Sequence, residues 1–112
     1  SNVKSMQNMF FKAKSFDCDI SSWNVSNVEN MQHMFYQALK FNADISSWDT
    51  GAVTNMSGMF EDAISFGHDV SGWNIDNVRD LRWIFKGASN FNRIEVKKKW
   101  NVEGKKADKL FG

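Results

Sequence analysis

The sequence predicts an α/β fold, a right-handed solenoid with one short parallel strand and one helix in each 25-residue repeat. Three observations predict it. One side-chain pattern returns at intervals of 25 residues through the chain. The first half of each repeat has the apolar spacing of a helix, and the second half alternates apolar and polar residues as a strand does. Successive parallel strands joined by a helix require a right-handed crossover.

The repeat is visible as columns of large apolar residues, and the column of Phe10, Phe35, Phe60 and Phe85 has no exception. Because these side chains recur wherever one coil must contact the next, we expect the columns to become ladders through a packed core. The other columns are Met6, Met31, Met56 and Leu81; Met9, Met34, Met59 and Ile84; Phe16, Phe41, Phe66 and Phe91; and Trp23, Trp48 and Trp73.

The first half of each repeat predicts an amphipathic helix. In the second repeat the apolar residues occupy offsets 0, 3, 6, 7 and 10 counted from Val28. Ser26 and Glu29 have the spacing of a capping box. The pattern predicts a helix over 27–39, too short to be stable without packing against its neighbours.

The second half of each repeat predicts a short strand, for example Ile20–Val25, with Trp23 and Val25 facing inward and Asn24 outward. Packed helices need about 8–10 Å and paired strands about 4.7–4.9 Å, so the strands should line a concave face. We expect polar residues on that face to be the binding candidates. These residues, the predicted strip, are Ser22, Asn24, Ser47, Asp49 and Asn74.

The pattern predicts one solenoid domain over residues 1–100, and its disruption after Asn92 predicts a closing segment over 101–112. The four repeats are approximately 1–25, 26–50, 51–75 and 76–100. Net charge is +1, but residues 93–112 hold seven basic and three acidic residues. We interpret this basic end as a solvated terminus, so nucleic-acid binding is not expected. No apolar run has the length of about 18 residues that a membrane helix needs.

Two family resemblances follow from the motif. The spacing Ile20-x-x-Trp23-x-Val25-x-Asn27 resembles the core of a leucine-rich repeat, shifted by one at the Asn. More closely, the chain resembles the surface-protein repeats called DUF285 or BspA-like. The residues that carry this second resemblance are Val28, Met31, Met34, Phe35, Ala38, Phe41, Asp44, Ile45, Ser46, Trp48 and Asp49.

The DUF285 or BspA-like resemblance implies a bacterial surface protein or lipoprotein, located at the cell surface or secreted, some of whose relatives are linked to adhesion. We therefore expect a non-enzymatic repeat scaffold that mediates adhesion or binds a protein partner, with no cofactor. A structural spacer or stalk without its own ligand is one alternative. A carbohydrate- or calcium-dependent binding module is the other.

No catalytic or metal-binding motif is present, and His33 and His68 fall in different columns. The column of Asp19, Asp44 and Asp69 could line a calcium ladder. We expect instead that each carboxylate accepts backbone N–H bonds in its turn. The Trp column could offer faces to sugars, but its recurrence with the core columns favours packing. Non-repeating aromatic residues, namely Phe11, Tyr36 and Trp83, are the other places where a partner could bind.

Overall fold

The computed structural model describes residues 3–100 and 109–111. Successive repeats pair in parallel, through bridges that join Ser5 to Asn30, Asn30 to Asn55 and Asn55 to Asp80. Each bridge joins residues 25 positions apart, so the period of the sequence is the period of the stack. One α-helix, α1, spans Ile94–Lys99, and residues 109–111 are also helical. In the described ranges, strand pairing is confined to these single bridge residues.

The segment predicted as a helix over 27–39 is instead a pair of hydrogen-bonded turns. The Met34 N–H donates to the Met31 carbonyl at 3.2 Å, and the Ala38 N–H donates to the Phe35 carbonyl at 3.0 Å. The third residue of each turn is left-handed, with φ of 53° at His33 and 54° at Gln37. Turns of type II place a positive φ at this position, and a helix cannot contain one.

The turns allow adjacent repeats to bond directly to each other. Alternate N–H groups of the second repeat donate to carbonyls of the third, from Met31 to Asn55 at 2.9 Å and from Phe35 to Met59 at 2.8 Å. A helix would use these N–H groups internally. The same two left-handed positions recur in every repeat, at Asn8, Lys12, His33, Gln37, Gly58, Asp62, Trp83 and Gly87.

The segment predicted as a strand, Ile20–Val25, also forms turns. The Trp23 N–H donates to the Ile20 carbonyl at 3.1 Å, and the Val28 N–H donates to the Val25 carbonyl at 2.9 Å. The parallel bridges lie instead at Asn30 and its equivalents. The pairing therefore belongs to the half of the repeat in which the helix was expected. The right-handed, leucine-rich-repeat-like class of the coil stays a prediction.

The core consists of aromatic ladders, as the columns predict. Phe35 stacks on Phe10 and on Phe60 with ring centroids 5.5 Å apart in each case. A second ladder joins Phe41 to Phe16 at 5.7 Å and to Phe66 at 5.8 Å. These distances are close to the spacing of about 4.7–4.9 Å between paired backbones. One ring from each repeat, or rung, of the stack therefore fills the space between neighbouring rungs.

The end of the fourth repeat is closed by α1 and by residues 109–111. Val96 of α1 is fully buried, and the Phe85 N–H donates to the Leu110 carbonyl at 3.0 Å. Phe111 stacks on Phe85 at 5.8 Å and continues the first aromatic ladder. Most of the predicted closing segment 101–112 lies outside the described residues, and the domain boundaries stay predictions.

Candidate binding surfaces

The structure leaves the predicted strip on the surface, with every member exposed. Its carboxamide and carboxylate oxygens, however, serve their own turns. Asn24 Oδ1 accepts hydrogen bonds from the Ser26 N–H at 3.0 Å and from the Ser26 hydroxyl at 2.7 Å. Asp49 Oδ1 accepts from the Gly51 N–H at 3.0 Å, and Asn74 Oδ1 accepts from the Asp76 N–H at 2.9 Å. Bonds of this i to i+2 kind stabilise turns.

The aspartate column has the same role. Asp19 accepts a hydrogen bond from the Ser21 N–H at 2.9 Å, Asp44 from the Ser46 N–H at 3.0 Å, and Asp69 from the Ser71 N–H at 2.8 Å. The prediction that these carboxylates accept backbone N–H bonds is confirmed. The Ser46 hydroxyl and then the Ser46 N–H, both bonded to Asp44, lower the pKa of that carboxyl. Within the described parts of the chain, no three acidic, His or Cys side chains meet in a way that could hold a metal ion.

The tryptophan column belongs to the core over its central repeats. Trp48 and Trp73 are each 4% exposed and stack on each other with centroids 6.4 Å apart. Their indole N–H groups donate to the carbonyls of Ile20 at 3.2 Å and Ile45 at 3.1 Å. Trp100 occupies the next position of this tryptophan column, and its indole N–H donates to the Ser71 carbonyl at 3.1 Å. Packing is therefore confirmed for these rings, whereas Trp23 in the first repeat is 38% exposed.

A different surface, which we call the outer turn face, carries side chains that change from repeat to repeat. It consists of the outward residues of the paired turns, which are exposed or half-buried except for Ser57 and Gly58, while inward neighbours such as Met34 and Phe35 are fully buried. Its rungs are Gln7, Asn8, Phe11 and Lys12; Gln32, His33, Tyr36 and Gln37; Ser57, Gly58, Glu61 and Asp62; and Arg82, Trp83, Lys86 and Gly87.

The sequence already contains the signal for this face. The apolar offsets of each repeat are repeated, and the positions between them are not. Phe11, Tyr36 and Trp83 were singled out as non-repeating aromatic residues, and the structure places all three on the outer turn face. Sequence reasoning did not group them with their polar neighbours into one surface.

The first two rungs of the outer turn face carry an aromatic cluster. Phe11 and Tyr36 stack with ring centroids 4.7 Å apart, and the His33 ring lies edge-on to Tyr36 at 5.4 Å. The Lys12 ammonium is 5.4 Å from the centroid of Phe11. Phe11 remains 41% exposed. This cluster is the kind of exposed aromatic anchor that protein partners bury.

The last two rungs form a cleft of about 290 Å³ with the second rung. It is lined by Gln32, His33, Ser57, Gly58, Asp80, Arg82 and Trp83. Gly58 leaves room for the His33 wall of the cleft, since a Cβ at this position would collide with the His33 ring that lies over it. Trp83 is 44% exposed, and the Lys86 ammonium lies 4.4 Å from its ring centroid.

The charges around this cleft are mixed. Arg82 pairs with Asp80 at 3.5 Å, and the Arg82 side chain is 64% exposed. Glu61 lies beside Gly58 and His33. Burial raises the pKa of Glu61; the charges of Lys86 and His33 act in the opposite direction, and Asp62 adds to the increase. Acidic and basic groups thus alternate, and neither sign dominates.

A larger depression of about 450 Å³ runs across the second, third and fourth repeats. Its lining includes Glu29, Thr54 and Arg79, one from each rung. The backbones beneath these residues are joined by hydrogen bonds, from the Thr54 N–H to the Glu29 carbonyl and from the Arg79 N–H to the Thr54 carbonyl, both at 2.8 Å. Among the residues that the structure describes, no aromatic side chain lines this depression, so it offers less to a partner than the outer turn face.

Parallel bridges, inter-repeat hydrogen bonds and continuous ring ladders define the chain as a protein of stacked repeats. Its family is equally plain: the chain belongs to the family described as "Mycoplasma protein of unknown function, DUF285", whose family model matches residues 1–100. No curated protein matches the chain, and no solved structure does. Among the described residues, no helix is long and apolar enough to cross a membrane.

Proposed function

We propose that this chain is a non-enzymatic repeat scaffold of a bacterial surface protein and that it binds a protein partner through the outer turn face. One observation carries the proposal. Inward positions repeat at each turn of the stack, whereas the outward positions on the same segments carry amide, aromatic, acidic and basic side chains in different rungs. Such a scaffold can vary its outer side chains without changing its core.

The Phe11–Tyr36 pair is the proposed anchor of the protein interface. Large aromatic residues supply much of the binding free energy in protein interfaces, with basic residues often beside them. Phe11 is exposed, is stacked on Tyr36 and has Lys12 over its ring. The stack holds both rings in place before binding, which lowers the entropy cost of ordering them.

The test is surface plasmon resonance of the chain over purified extracellular-matrix proteins. Each protein is used in native and in enzymatically deglycosylated form, so that binding to the protein itself is distinguished from binding to its carbohydrate. We expect at least one deglycosylated protein to bind, and Phe11→Ala to weaken that binding at least tenfold. The matched variant Ser47→Ala with Asp49→Asn alters the predicted strip but keeps an oxygen acceptor for the Gly51 N–H. It should bind as the unmodified chain does.

The opposite pattern, with binding lost only in the Ser47 and Asp49 variant, would move the site to the predicted strip. Binding to none of these proteins would favour the structural spacer. Calcium dependence is tested by a thermal melt with calcium and then with EDTA. We expect an unchanged midpoint, since the column of Asp19, Asp44 and Asp69 already serves backbone N–H groups.

A further inference from the structure

We propose that the cleft between His33 and Trp83 binds a single ring of a neutral carbohydrate. This proposal goes beyond the protein interface and does not depend on it, because it concerns the cleft rather than the Phe11–Tyr36 anchor. The cleft spans three repeats and has a volume of about 290 Å³. Small-molecule sites range from about 300 to 1,000 Å³, so a cleft of this size fits one ring rather than an extended ligand.

The walls suit the two sides of a sugar. The C–H face of a pyranose is apolar, whereas its edge carries hydroxyl groups. Trp83 offers an aromatic surface that is 44% exposed even with Lys86 over the ring. His33 forms another wall and is held in place by its edge contacts with Tyr36 at 5.4 Å and Phe11 at 6.2 Å. Contacts preset in this way cost little entropy on binding.

Planar polar groups line the rest of the cleft. The Arg82 guanidinium and the Gln32 amide both carry N–H donors, and Asp80 carries acceptor oxygens. Gln32 is oriented by a bond from the Gln7 amide to its Oε1 at 3.1 Å, and Asp80 Oδ1 accepts from the Arg82 N–H at 3.0 Å. A hydroxyl group both donates and accepts, so vicinal hydroxyls can satisfy donors and acceptors that lie side by side.

The charge balance argues for a neutral ligand. Arg82 and Asp80 already pair with each other, and the Glu61 carboxylate approaches the floor at Gly58. An acidic ligand would meet Asp80 and Glu61 together with Arg82, and a cationic ligand would meet Arg82 and Lys86. A purely apolar side chain would bury the guanidinium and carboxylate without replacing their contacts with water, which is costly.

The experiment uses the whole chain and a stated set of probes. These are methyl pyranosides of glucose, galactose, mannose and N-acetylglucosamine, a neutral polysaccharide of each type, and heparin as the charged probe. Saturation-transfer NMR detects binding, and calorimetry measures affinity. We expect at least one neutral saccharide to bind and heparin to bind no more tightly than it. Trp83→Ala should weaken saccharide binding at least tenfold.

Two variants control the result. Trp23 is the other exposed tryptophan of the described residues, and Trp23→Ala should leave saccharide affinity unchanged. Phe11→Ala should weaken binding to a deglycosylated protein more than Trp83→Ala does, which separates the two proposals. Thermal melts should show that all three variants fold, as the substituted side chains are exposed.

The proposal is overturned if none of the neutral probes binds. It is overturned equally if Trp23→Ala weakens saccharide binding as much as Trp83→Ala does, or if heparin alone binds, since heparin alone would indicate recognition by basic charge.

Discussion

The predicted strip is exposed throughout and the outer turn face only in part, and both carry polar side chains, yet the structure uses them differently. Asn24, Asp49 and Asn74 recur at one position of the repeat, and each accepts the N–H two residues later. On the outer turn face, position 58 is Gly where the neighbouring rungs have His33 and Trp83. In a protein of stacked repeats, a polar residue that recurs can therefore be explained by the hydrogen bond that it accepts from the backbone of its own coil.

Residues that do not recur have no such explanation. Phe11, Tyr36 and Trp83 occupy outward positions of turns whose backbone bonds form equally well with other side chains, as the polar residues in neighbouring rungs demonstrate. Their presence is not required by the stack. Because of this contrast we place both proposed binding sites on the outer turn face.

The largest effect is expected when the turns of the predicted strip lose their acceptors. The triple variant Asn24→Ala, Asp49→Ala and Asn74→Ala should lower the free energy of unfolding by about 3 kcal/mol, at about 1 kcal/mol for each lost bond. The matched triple variant on the outer turn face is Gln7→Ala, Lys12→Ala and Gln37→Ala. It should change stability by about 0.5 kcal/mol or less per site, because Gln7 and Gln37 bond to other side chains and Lys12 lies over an aromatic ring, so none of them holds a backbone turn.

Urea denaturation measures both triple variants. Equal losses in the two would remove the distinction between the regions. A loss of stability confined to the triple variant on the outer turn face would reverse the distinction, and the structural role would then belong to the outer turn face.

A second effect, of intermediate size, compares one glycine from each region. Gly58 on the outer turn face has φ of +60° and lies beneath the His33 ring. Gly72 follows Ser22 and Ser47 in a column of the predicted strip, and a Cβ there would meet no atom of the described residues within 4 Å. Gly58→Ala should cost about 1–3 kcal/mol from strain and collision. Gly72→Ala should be neutral or stabilise the chain by up to about 1 kcal/mol.

The collision can be separated from the backbone strain by a double-mutant cycle. His33→Ala removes the ring that Gly58→Ala would strike, so the double variant should be more stable than the sum of the two single effects predicts. Strict additivity, measured by urea denaturation, would mean that His33 does not occupy the space above Gly58.

Much of the core was predictable from the sequence. Columns such as Phe35 and Phe60 identify buried ladders because a side chain that must stack on its own copy can change little. The turn role of Asp19, Asp44 and Asp69 and the burial of Trp48 and Trp73 followed from the same columns.

Local backbone structure was not predictable in the same way. The buried residues Met31, Met34, Phe35 and Ala38 have spacings of three and four, which a helix and two consecutive turns both produce. The deciding property is the left-handed backbone at His33 and Gln37, and the glutamine gives no sign of it, although histidine adopts it more often than most residues. Gly58 and Gly87, at the corresponding positions, were the available signal.

The candidate site was partly predictable. Phe11, Tyr36 and Trp83 stood out because they do not repeat, but the cleft depends on a glycine in one rung and on side chains from two others. Only the stacking register brings Gln32, Gly58 and Trp83 to one place. A single repeat, read alone, contains no cleft.

The smallest effect is expected from a substitution of Glu61. It tests whether an ionised side chain of the outer turn face lowers the free energy of unfolding. Burial raises the pKa of Glu61 above its ordinary value of 4.5. A carboxyl group whose pKa is raised by folding favours the folded state when it is protonated, so its contribution is fully present below pH 4.5 and is lost as pH rises through the folded-state pKa.

Asp44 has the opposite sign, because its pKa is lowered, and its contribution is lost as pH falls below 3.8. Glu61→Gln should therefore stabilise the chain slightly near pH 7 and have little effect near pH 4, as measured by urea denaturation at both values. If Glu61→Gln instead destabilises the chain at neutral pH, the carboxylate contributes to stability through Lys86, and Glu61 belongs with the structural residues.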